Sequence, residues 1–306
     1  MNFLNEWVTN YLNYCKWNKR LSEKTIKAYS IDLGQSLDFI EGLDQKLNRT
    51  NINSFIVWLN ETYKPKSIKR KVASIKAFCN YLEYEEILES NPFDKIRIKV
   101  TEPRILPKTI PFSDIEKILS YVYERKKKTE LTEWQYRVLL RDTAILELLF
   151  ATGIRVSELC HLKNEDINLI EGHIKIYGKG AKERLIQIGN DDVINTLKEY
   201  QDAFSIHIEK NRYFFVNRLY QRFSEQSVRL MIKKYTDLAG IRTHITPHMF
   251  RHSFATLLLE EDVDIRYIQT LLGHSSIVTT QIYTHVASKK QRDILFEKHP
   301  RNKIHL

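Results

Sequence analysis

The chain is poor in cysteine, glycine and proline. Its 306 residues include three cysteines, nine glycines and seven prolines, and no apolar run is long enough to span a membrane. The cysteines, Cys15, Cys79 and Cys160, are odd in number and widely spaced, which excludes a disulfide framework and a zinc motif. Charged and polar residues begin too early for a signal peptide. We therefore expect a cytoplasmic protein with no membrane partner.

Negative charge is also in short supply. The 48 lysines and arginines outnumber the 38 acidic residues, which gives a formal net charge of +10. Such an excess suits a polyanionic partner such as nucleic acid, although many basic proteins bind none. The length favours two domains, each large enough to bury its own core.

Apolar residues recur at helical spacing through the first ninety residues and predict four short helices. We expect Ser22 to cap the second helix, Gly42 to end it, and Asn51 to begin the third. The fourth, over residues 66–82, has one apolar face, made of Ile68, Val72, Ile75, Cys79 and Leu82. Its other face carries the candidate DNA-binding residues Lys66, Lys69, Arg70 and Lys76. Such a face is most often solvated surface, but four cations without an acidic neighbour are typical of a helix that lies on a phosphate backbone.

Prolines concentrate between the two halves of the chain, at positions 92, 103, 107 and 111. Proline resists both helices and sheet ladders, so we interpret residues 91–111 as an interdomain linker. Its cations could follow DNA between the two domains: Arg97, Lys99, Arg104 and Lys108.

The second half predicts helices around a small antiparallel sheet. Ser113 and Glu116 suggest a capping box, followed by helices to Val122 and over residues 133–150, with lysines 126–128 in a solvated loop. The period then changes to that of strands over residues 167–188, with Lys179 between two glycines at a hairpin tip. A polar, aromatic stretch up to Val216 and a helix over 226–238 complete the domain. The fold class is therefore mainly α, with a small antiparallel β-sheet in the second domain.

Several polar residues stand at helix ends and turns, where side chains can converge on one anion. Arg155 follows the turn at Gly153, and it either reaches an anion bidentately or pairs structurally with Glu158 or Asp142. Thr246 and Pro247 predict a helix start in which the Thr246 side chain caps free N–H groups. His248 and Arg251 share a face of that helix's first turn, where the helix dipole favours a phosphate.

The chain after this helix carries two more candidates. A helix over residues 265–272 is ended by Gly273, a C-cap that makes His274 project. Ser275 or Ser276 can cap a third short helix that carries Tyr283. A lone tyrosine among apolar residues is usually core, but this helix is too short to bury much.

Together these segments resemble the motifs of the tyrosine recombinases, the phage integrase family, and are most similar to the Xer subgroup. The matching segments are ATGIRVSELCHL with Arg155, GKGAKERLIQIG with Lys179, HMFRHSFAT with His248 and Arg251, LLGHSS with His274, and TTQIYTHV with Tyr283. The resemblance implies a two-domain, C-shaped DNA clamp. Its parts are a helical, SAM-like core-binding domain at residues 1–90, the linker at 91–111 and a catalytic domain at 112–306.

The resemblance also implies a chemistry. Arg155 and Arg251 hold the scissile phosphate, and His274 donates a further hydrogen bond. Tyr283 attacks phosphorus to form a 3′-phosphotyrosyl link, Lys179 protonates the leaving 5′-oxygen, and His248 handles the tyrosine proton. No cofactor and no metal are required. The implied partners are double-stranded DNA with paired inverted half-sites and a homo- or hetero-tetramer that passes through a four-way junction. The C-terminal segment docks on a neighbouring subunit in the family, or is a frayed tail here.

Other interpretations remain open at this point. The expected role is Xer-like resolution of chromosome or plasmid dimers, and the alternative is an integrase or transposase of a mobile element. The lysine-rich segment 124–136 is bulkier than we expect in an Xer protein, which keeps the alternative open. A non-catalytic DNA-binding protein of the same fold and a type IB topoisomerase share parts of the pattern. Histidines 244, 248 and 252, spaced by four, suggest a zinc hydrolase, but Pro247 and the lack of a carboxylate argue against it.

Overall fold

Two large hydrophobic cores divide the chain into the units Met1–Arg104 and Ile105–Leu306. The structure is a computed structural model, and it describes residues 3–43, 46–98, 100–101, 107–128, 130–177 and 183–273. No helix within these ranges is long and apolar enough to cross a bilayer. The predicted boundaries of the linker and of the two domains stay a prediction.

The first unit contains the four predicted helices. They are α1 Phe3–Trp17, α2 Glu23–Glu41, α3 Arg49–Thr62 and α4 Pro65–Tyr84. As predicted, the Ser22 hydroxyl accepts the Thr25 N–H at 3.2 Å and Gly42 ends α2. The prediction that Asn51 begins α3 is wrong, because the Asn48 side chain caps that helix by accepting the Asn51 N–H at 2.8 Å.

The apolar face of α4 packs into the first core as predicted, and every one of its five residues is buried. A buried carboxylate on α2, that of Asp32, ties this helix to α4. Asp32 pairs with Arg70, accepts a hydrogen bond from Lys71 Nζ at 3.2 Å and accepts another from the Ser74 hydroxyl at 3.0 Å. The Lys71 ammonium also lies 4.7 Å from the ring centre of Tyr63. A buried charge needs such partners, since an isolated one is strongly destabilising.

The second unit is built around α6, which is buried along most of its length. Its helices are α5 Phe112–Lys126, α6 Glu133–Thr152, α7 Val156–His161, α8 Asp191–Asn211, α9 Glu225–Leu238, α10 Pro247–Glu260 and α11 Ile265–Leu272. A small separate cluster of Ala255, Ile268 and Leu272 joins α10 to α11.

Helix starts in this unit differ from the prediction. The prediction of a capping box at Ser113 is wrong, because α5 already begins at Phe112 and has no side-chain cap. A capping box is found instead at the start of α6, where Thr132 and Gln135 each accept the other's backbone N–H, at 3.3 and 3.0 Å. Lys126 is not in a solvated loop, since it ends α5 and pairs with Glu199.

Helix α8 lies within the polar, aromatic stretch before Val216, to which we assigned no helix or strand from the sequence. It is capped by Asn190, whose side chain accepts the N–H groups of Asp192 and Val193 at 2.9 and 3.2 Å. Five of its apolar residues form one narrow, buried stripe at helical spacing: Val193, Leu197, Tyr200, Phe204 and Ile208. Polar residues make up most of the rest of the helix, and the exposed Ile206 lies off the stripe, so the helical spacing was hard to recognise in the sequence.

The predicted antiparallel sheet is confirmed. Its strands β1 Ile167–Asn168, β2 His173–Tyr177 and β3 Glu183–Gln187 lie in the order β1-β2-β3. In the β2–β3 pair, Ile174 lies opposite Ile186 and Ile176 lies opposite Arg184. The hairpin tip with Lys179 lies outside the described residues.

Candidate functional site

Arg155 is placed by a tight turn between two helices. Gly153 ends α6 in the left-handed conformation, with φ of 57°, and Arg155 is the N-cap residue of α7. A Cβ at Gly153 would lie 2.6 Å from Phe254 Cδ1 and 3.2 Å from Leu272 Cδ2. Only glycine therefore suits this turn, both for its φ and for its close packing against α10 and α11.

The Arg155 side chain is one-third exposed and has two partners. Its Nη1 donates to Glu158 Oε1 at 2.8 Å, and its Nη2 donates to the Gly273 carbonyl at 3.1 Å. The backbone N–H of Arg155 donates to the other Glu158 oxygen at 3.0 Å. The structural pairing with Glu158 that we considered is thus present, whereas Asp142 pairs with Arg141 instead.

Arg251 is buried, with 4% of its surface exposed, on α10. Its Nη1 donates to the Gly153 carbonyl at 2.7 Å, and its Nη2 donates to the Leu272 carbonyl. Arg251 therefore holds the turn before Arg155 from one side and the end of α11 from the other.

The two arginines converge on one turn of the chain. Arg251 and Arg155 donate to consecutive carbonyls, those of Leu272 and Gly273. Gly273 has φ of 62° and ends α11 as predicted. This turn leads directly to residue 274. Side chains from two separate elements, Arg155 at the start of α7 and Arg251 on α10, are thereby brought together, as an anion clamp requires.

His248 lies on the first turn of α10, as predicted, although the Thr246 side chain does not cap this helix, so that part of the prediction is wrong. Partial desolvation by the surrounding protein lowers the pKa of His248, and the nearby charges of Arg251, Arg229 and Arg155 lower it further. The imidazole is therefore neutral at neutral pH and can accept a proton.

The remaining predicted catalytic residues, Lys179, His274 and Tyr283, lie outside the described residues. The three histidines considered for zinc do not form a metal site: no group of three metal-ligating side chains occurs in the described part of the chain. His252 is partly buried, and burial, His248 and Arg251 lower its pKa to about 4.

The predicted DNA-binding residues lie together on the solvent side of α4. Lys66, Lys69, Arg70 and Lys76 are all exposed. Arg70 differs from the expectation of a stripe without acidic neighbours, since it also pairs with buried Asp32. This pair holds the arginine close to the surface of α2 while 48% of its side chain stays exposed.

One residue of the site was missed in the sequence. Arg184 on β3 donates Nη1 to Glu158 Oε1 at 2.9 Å and Nη2 to Glu158 Oε2 at 2.7 Å. Its Nε donates to the Leu271 carbonyl at 3.3 Å. The available signal was an arginine at the strand position that shares a face with Ile186, where an apolar residue is expected.

Comparison with known proteins identifies the family. Residues 111–290 match the model of the phage integrase family, and residues 8–86 match the phage integrase N-terminal SAM-like domain. The chain belongs to the phage integrase family. The expected membership of the tyrosine recombinases, close to the Xer type, is confirmed. The expected enzyme class, a site-specific DNA strand-exchange recombinase, is confirmed as well.

Relatives match this recombinase over its whole length. A tyrosine recombinase of Agathobacter rectalis is 56% identical over 306 residues, which is 100% of both chains. The tyrosine recombinase XerC of Thermodesulfovibrio yellowstonii is 37% identical over 97% of both chains. The crystal structure of the XerH site-specific recombinase in a post-cleavage complex with its palindromic difH substrate has a TM-score of 0.75 at 23% identity, and the match covers 95% of this chain and 85% of that one. The last comparison shows that the fold is shared.

Proposed function

We propose that this recombinase cuts and rejoins double-stranded DNA at paired inverted half-sites, with Arg155 and Arg251 holding the scissile phosphate. The observation that carries the proposal is the convergence of both guanidinium groups on the carbonyls of Leu272 and Gly273. Arginine suits this task because its planar fork matches phosphate oxygens and its charge is permanent.

The reaction follows from what phosphodiester exchange needs. The Tyr283 oxygen attacks phosphorus, a 3′-phosphotyrosyl bond forms, and the bond to the 5′-oxygen breaks. Lys179 gives a proton to the leaving 5′-oxygen, and His274 donates a hydrogen bond to the phosphate. The covalent link conserves the bond energy, so a 5′-hydroxyl of another strand reverses the attack without a nucleotide cofactor.

His248 receives the proton of Tyr283 in this scheme. A proton acceptor must be neutral at the working pH, and the lowered pKa of His248 supplies that condition. The same cations that lower it, Arg155 and Arg251, stabilise the negative charge that develops on the phosphate.

We further propose the assembly and the biological role. Two strand exchanges that pass through a four-way junction require four active sites, so the recombinase acts as a homo- or hetero-tetramer on DNA. The Xer-like relatives favour resolution of chromosome or plasmid dimers over mobile-element integration. The basic face of α4 contributes non-specific affinity through Lys66, Lys69 and Lys76, which lie exposed along one stripe.

Covalent capture tests this function. Binding selection from a pool of random-sequence duplexes yields a target. Versions of the selected duplex that each carry one nick at a different position, so that a short released strand diffuses away and cannot rejoin, are then incubated with the wild type and with a Tyr283→Phe variant. We expect the wild type to form a protein–DNA adduct that survives denaturation. The variant should bind the duplex equally well and form no adduct. Sequencing the captured DNA would also identify the cleavage position. An adduct from Tyr283→Phe, or none from the wild type, would contradict the proposal.

A further inference from the structure

Arg184 occupies a position that the fold would normally give to an apolar side chain. On β3 it shares a face with Ile186, which is buried, and it lies opposite Ile176, which is also buried. Only 13% of its own side chain is exposed. Burying an arginine there costs folding free energy unless its charge is paired and its N–H groups have acceptors. The partners of Arg184 therefore indicate its role.

All three guanidinium nitrogens of Arg184 have partners, and the partners come from two other elements. Two nitrogens form a bidentate pair with Glu158 on α7, and Nε reaches the Leu271 carbonyl at the end of α11. A bidentate pair fixes both the position and the plane of the carboxylate. Arg184 therefore links β3 to the start of α7 and to the turn before residue 274.

Glu158 passes this constraint on to Arg155. The carboxylate accepts four hydrogen bonds, two from Arg184 and two from the side chain and backbone of Arg155. Burial raises the pKa of Glu158, but the hydrogen bonds and charge of Arg184, followed by those of Arg155, outweigh it and lower that pKa overall. The group is thus a carboxylate, and it is shared between two arginines.

The charge balance of this cluster depends on Arg184. Arg155 and Glu158 alone would form a neutral ion pair, and the carboxylate would compete with a phosphate for the Arg155 guanidinium. With Arg184 present, one positive charge is left over in a partly buried site. Such a surplus is what an anionic phosphate needs, because water screens it poorly there.

The close approach of Arg184 to the turn at Gly273 is an independent indication. A Cβ at Gly273 would lie 2.8 Å from Arg184 Nη1 and 3.0 Å from both its Cδ and its Cζ. The arginine thus packs directly against the residue whose carbonyl accepts from Arg155. Three consecutive backbone carbonyls each accept a hydrogen bond from a different arginine: Leu271 from Arg184, Leu272 from Arg251, and Gly273 from Arg155.

We propose that Arg184 is a positioning residue for strand exchange: it neutralises Glu158, so that Arg155 keeps its charge for the phosphate, and it holds the turn that leads to residue 274. This inference rests on the proposed function. Arg184 itself is not assigned a contact with DNA.

A single-turnover experiment tests the charge role. The selected duplex is nicked near the cleavage position, so that the short strand released by Tyr283 diffuses away and cannot rejoin. We expect Arg184→Gln to slow adduct formation on the order of 100-fold, the loss typical of a misplaced catalytic group. Its affinity for intact duplex should stay close to that of the wild type, because the phosphate contacts elsewhere are unchanged.

A second substitution separates positioning from general structural damage. Adding Glu158→Gln to Arg184→Gln removes the uncompensated carboxylate and should restore about tenfold of the rate, a coupling typical of residues in contact. Arg137→Gln is the matched control, since Arg137 donates to the Ala203 carbonyl at 2.6 Å on α8, outside this cluster, and should leave the rate unchanged. A double variant no faster than Arg184→Gln, or an Arg184→Gln variant as fast as the wild type, would overturn the proposal.

Two further measurements keep the outcomes distinct. If Arg184→Gln does not fold, Arg184→Lys decides: it keeps the charge that neutralises Glu158 but loses the fork, so its rate should fall only about tenfold, and a loss on the order of 100-fold in this charged variant would overturn the proposal. The wild type and Tyr283→Phe are measured alongside. No adduct from the wild type would overturn the function and this inference with it. If the wild type forms the adduct and Arg184→Gln forms it at the same rate, the inference alone is overturned.

Discussion

Replacing Gly153 with alanine should destabilise the second unit more than the same replacement at Gly240. Both glycines have a left-handed backbone, with φ of 57° and 71°, so both substitutions cost about 1–2 kcal/mol in backbone strain. They differ in the space for a methyl group. At Gly240 nothing lies within 4 Å of the added Cβ, whereas at Gly153 it would lie 2.6 Å from Phe254 Cδ1.

The steric part of the effect follows from this difference. The Phe254 ring must move away from a Cβ that approaches two of its atoms, at 2.6 and 3.0 Å. Forcing an extra methyl into packed surroundings typically costs about 1–3 kcal/mol. We therefore expect Gly153→Ala to lower the free energy of unfolding by about 2–5 kcal/mol in total, and Gly240→Ala by about 1–2 kcal/mol.

The assay has to report on each unit separately, because a chain with two cores need not unfold in one step. Pulse proteolysis over a urea gradient, with peptides from each unit quantified by mass spectrometry, meets this need. The urea midpoint of the second unit should fall further in Gly153→Ala than in Gly240→Ala, while peptides of the first unit show no shift.

A rescue variant checks the cause. Adding Phe254→Leu to Gly153→Ala removes part of the ring and should recover part of the lost stability. Equal losses at Gly153 and Gly240, or no recovery with the leucine, would refute the clash that we infer. Because this turn also carries Arg155 and the carbonyl that Arg251 holds, adduct formation should fall in Gly153→Ala as well.

Two further predictions concern pH and buried charge. The pKa of His248 is lowered from its ordinary value of 6.5, so the midpoint of its protonation lies below that pH. Single-turnover adduct formation should therefore fall to half its maximum at a pH below 6.5, and His248→Asn should remove this acid limb; a midpoint above 6.5 would contradict the lowered pKa. In the first unit, Asp32→Ala leaves the Lys71 charge, 4% exposed, without its carboxylate and should cost about 3–5 kcal/mol in the free energy of unfolding of that unit. The exposed acid Glu165 is the control. Glu165→Ala removes only a surface ion pair and should lower the free energy of unfolding by about 0–1 kcal/mol in the same pulse proteolysis. Similar losses at the two positions would show that burial of the pair is unimportant.

Features set by neighbouring residues were predictable from the sequence. The bounds of α11 and its C-cap at Gly273 were predicted correctly, because an apolar stripe, a glycine and the left-handed turn lie within one short segment. The four helices of the first unit and the sheet of the second were predictable for the same reason. Where two residues compete for the same cap, as Asn48 and Asn51 do, sequence alone could not choose between them.

Features set by contacts between distant segments were not predictable. The motifs identified Arg155 and Arg251, but not that both would donate to the end of α11, more than a hundred residues after Arg155. Arg184 was not singled out in the sequence, because its carboxylate partner lies on α7 and its carbonyl partner on α11. Arg70 was likewise assigned to DNA alone, since its second partner belongs to another helix.

The arginines of this site are oriented largely by uncharged groups. Backbone carbonyls of Gly153, Leu272 and Gly273 accept from Arg251 and Arg155, and a carbonyl fixes a guanidinium without cancelling its charge. A carboxylate in the same place would orient the side chain equally well but would neutralise the charge that the phosphate needs. Glu158 is the exception, and it is the carboxylate to which a further arginine is bound in a bidentate pair. The geometry thus fits the proposed reaction in both orientation and charge: Arg155 and Arg251 are held by their neighbours, while positive charge stays available for the phosphate that we propose they bind.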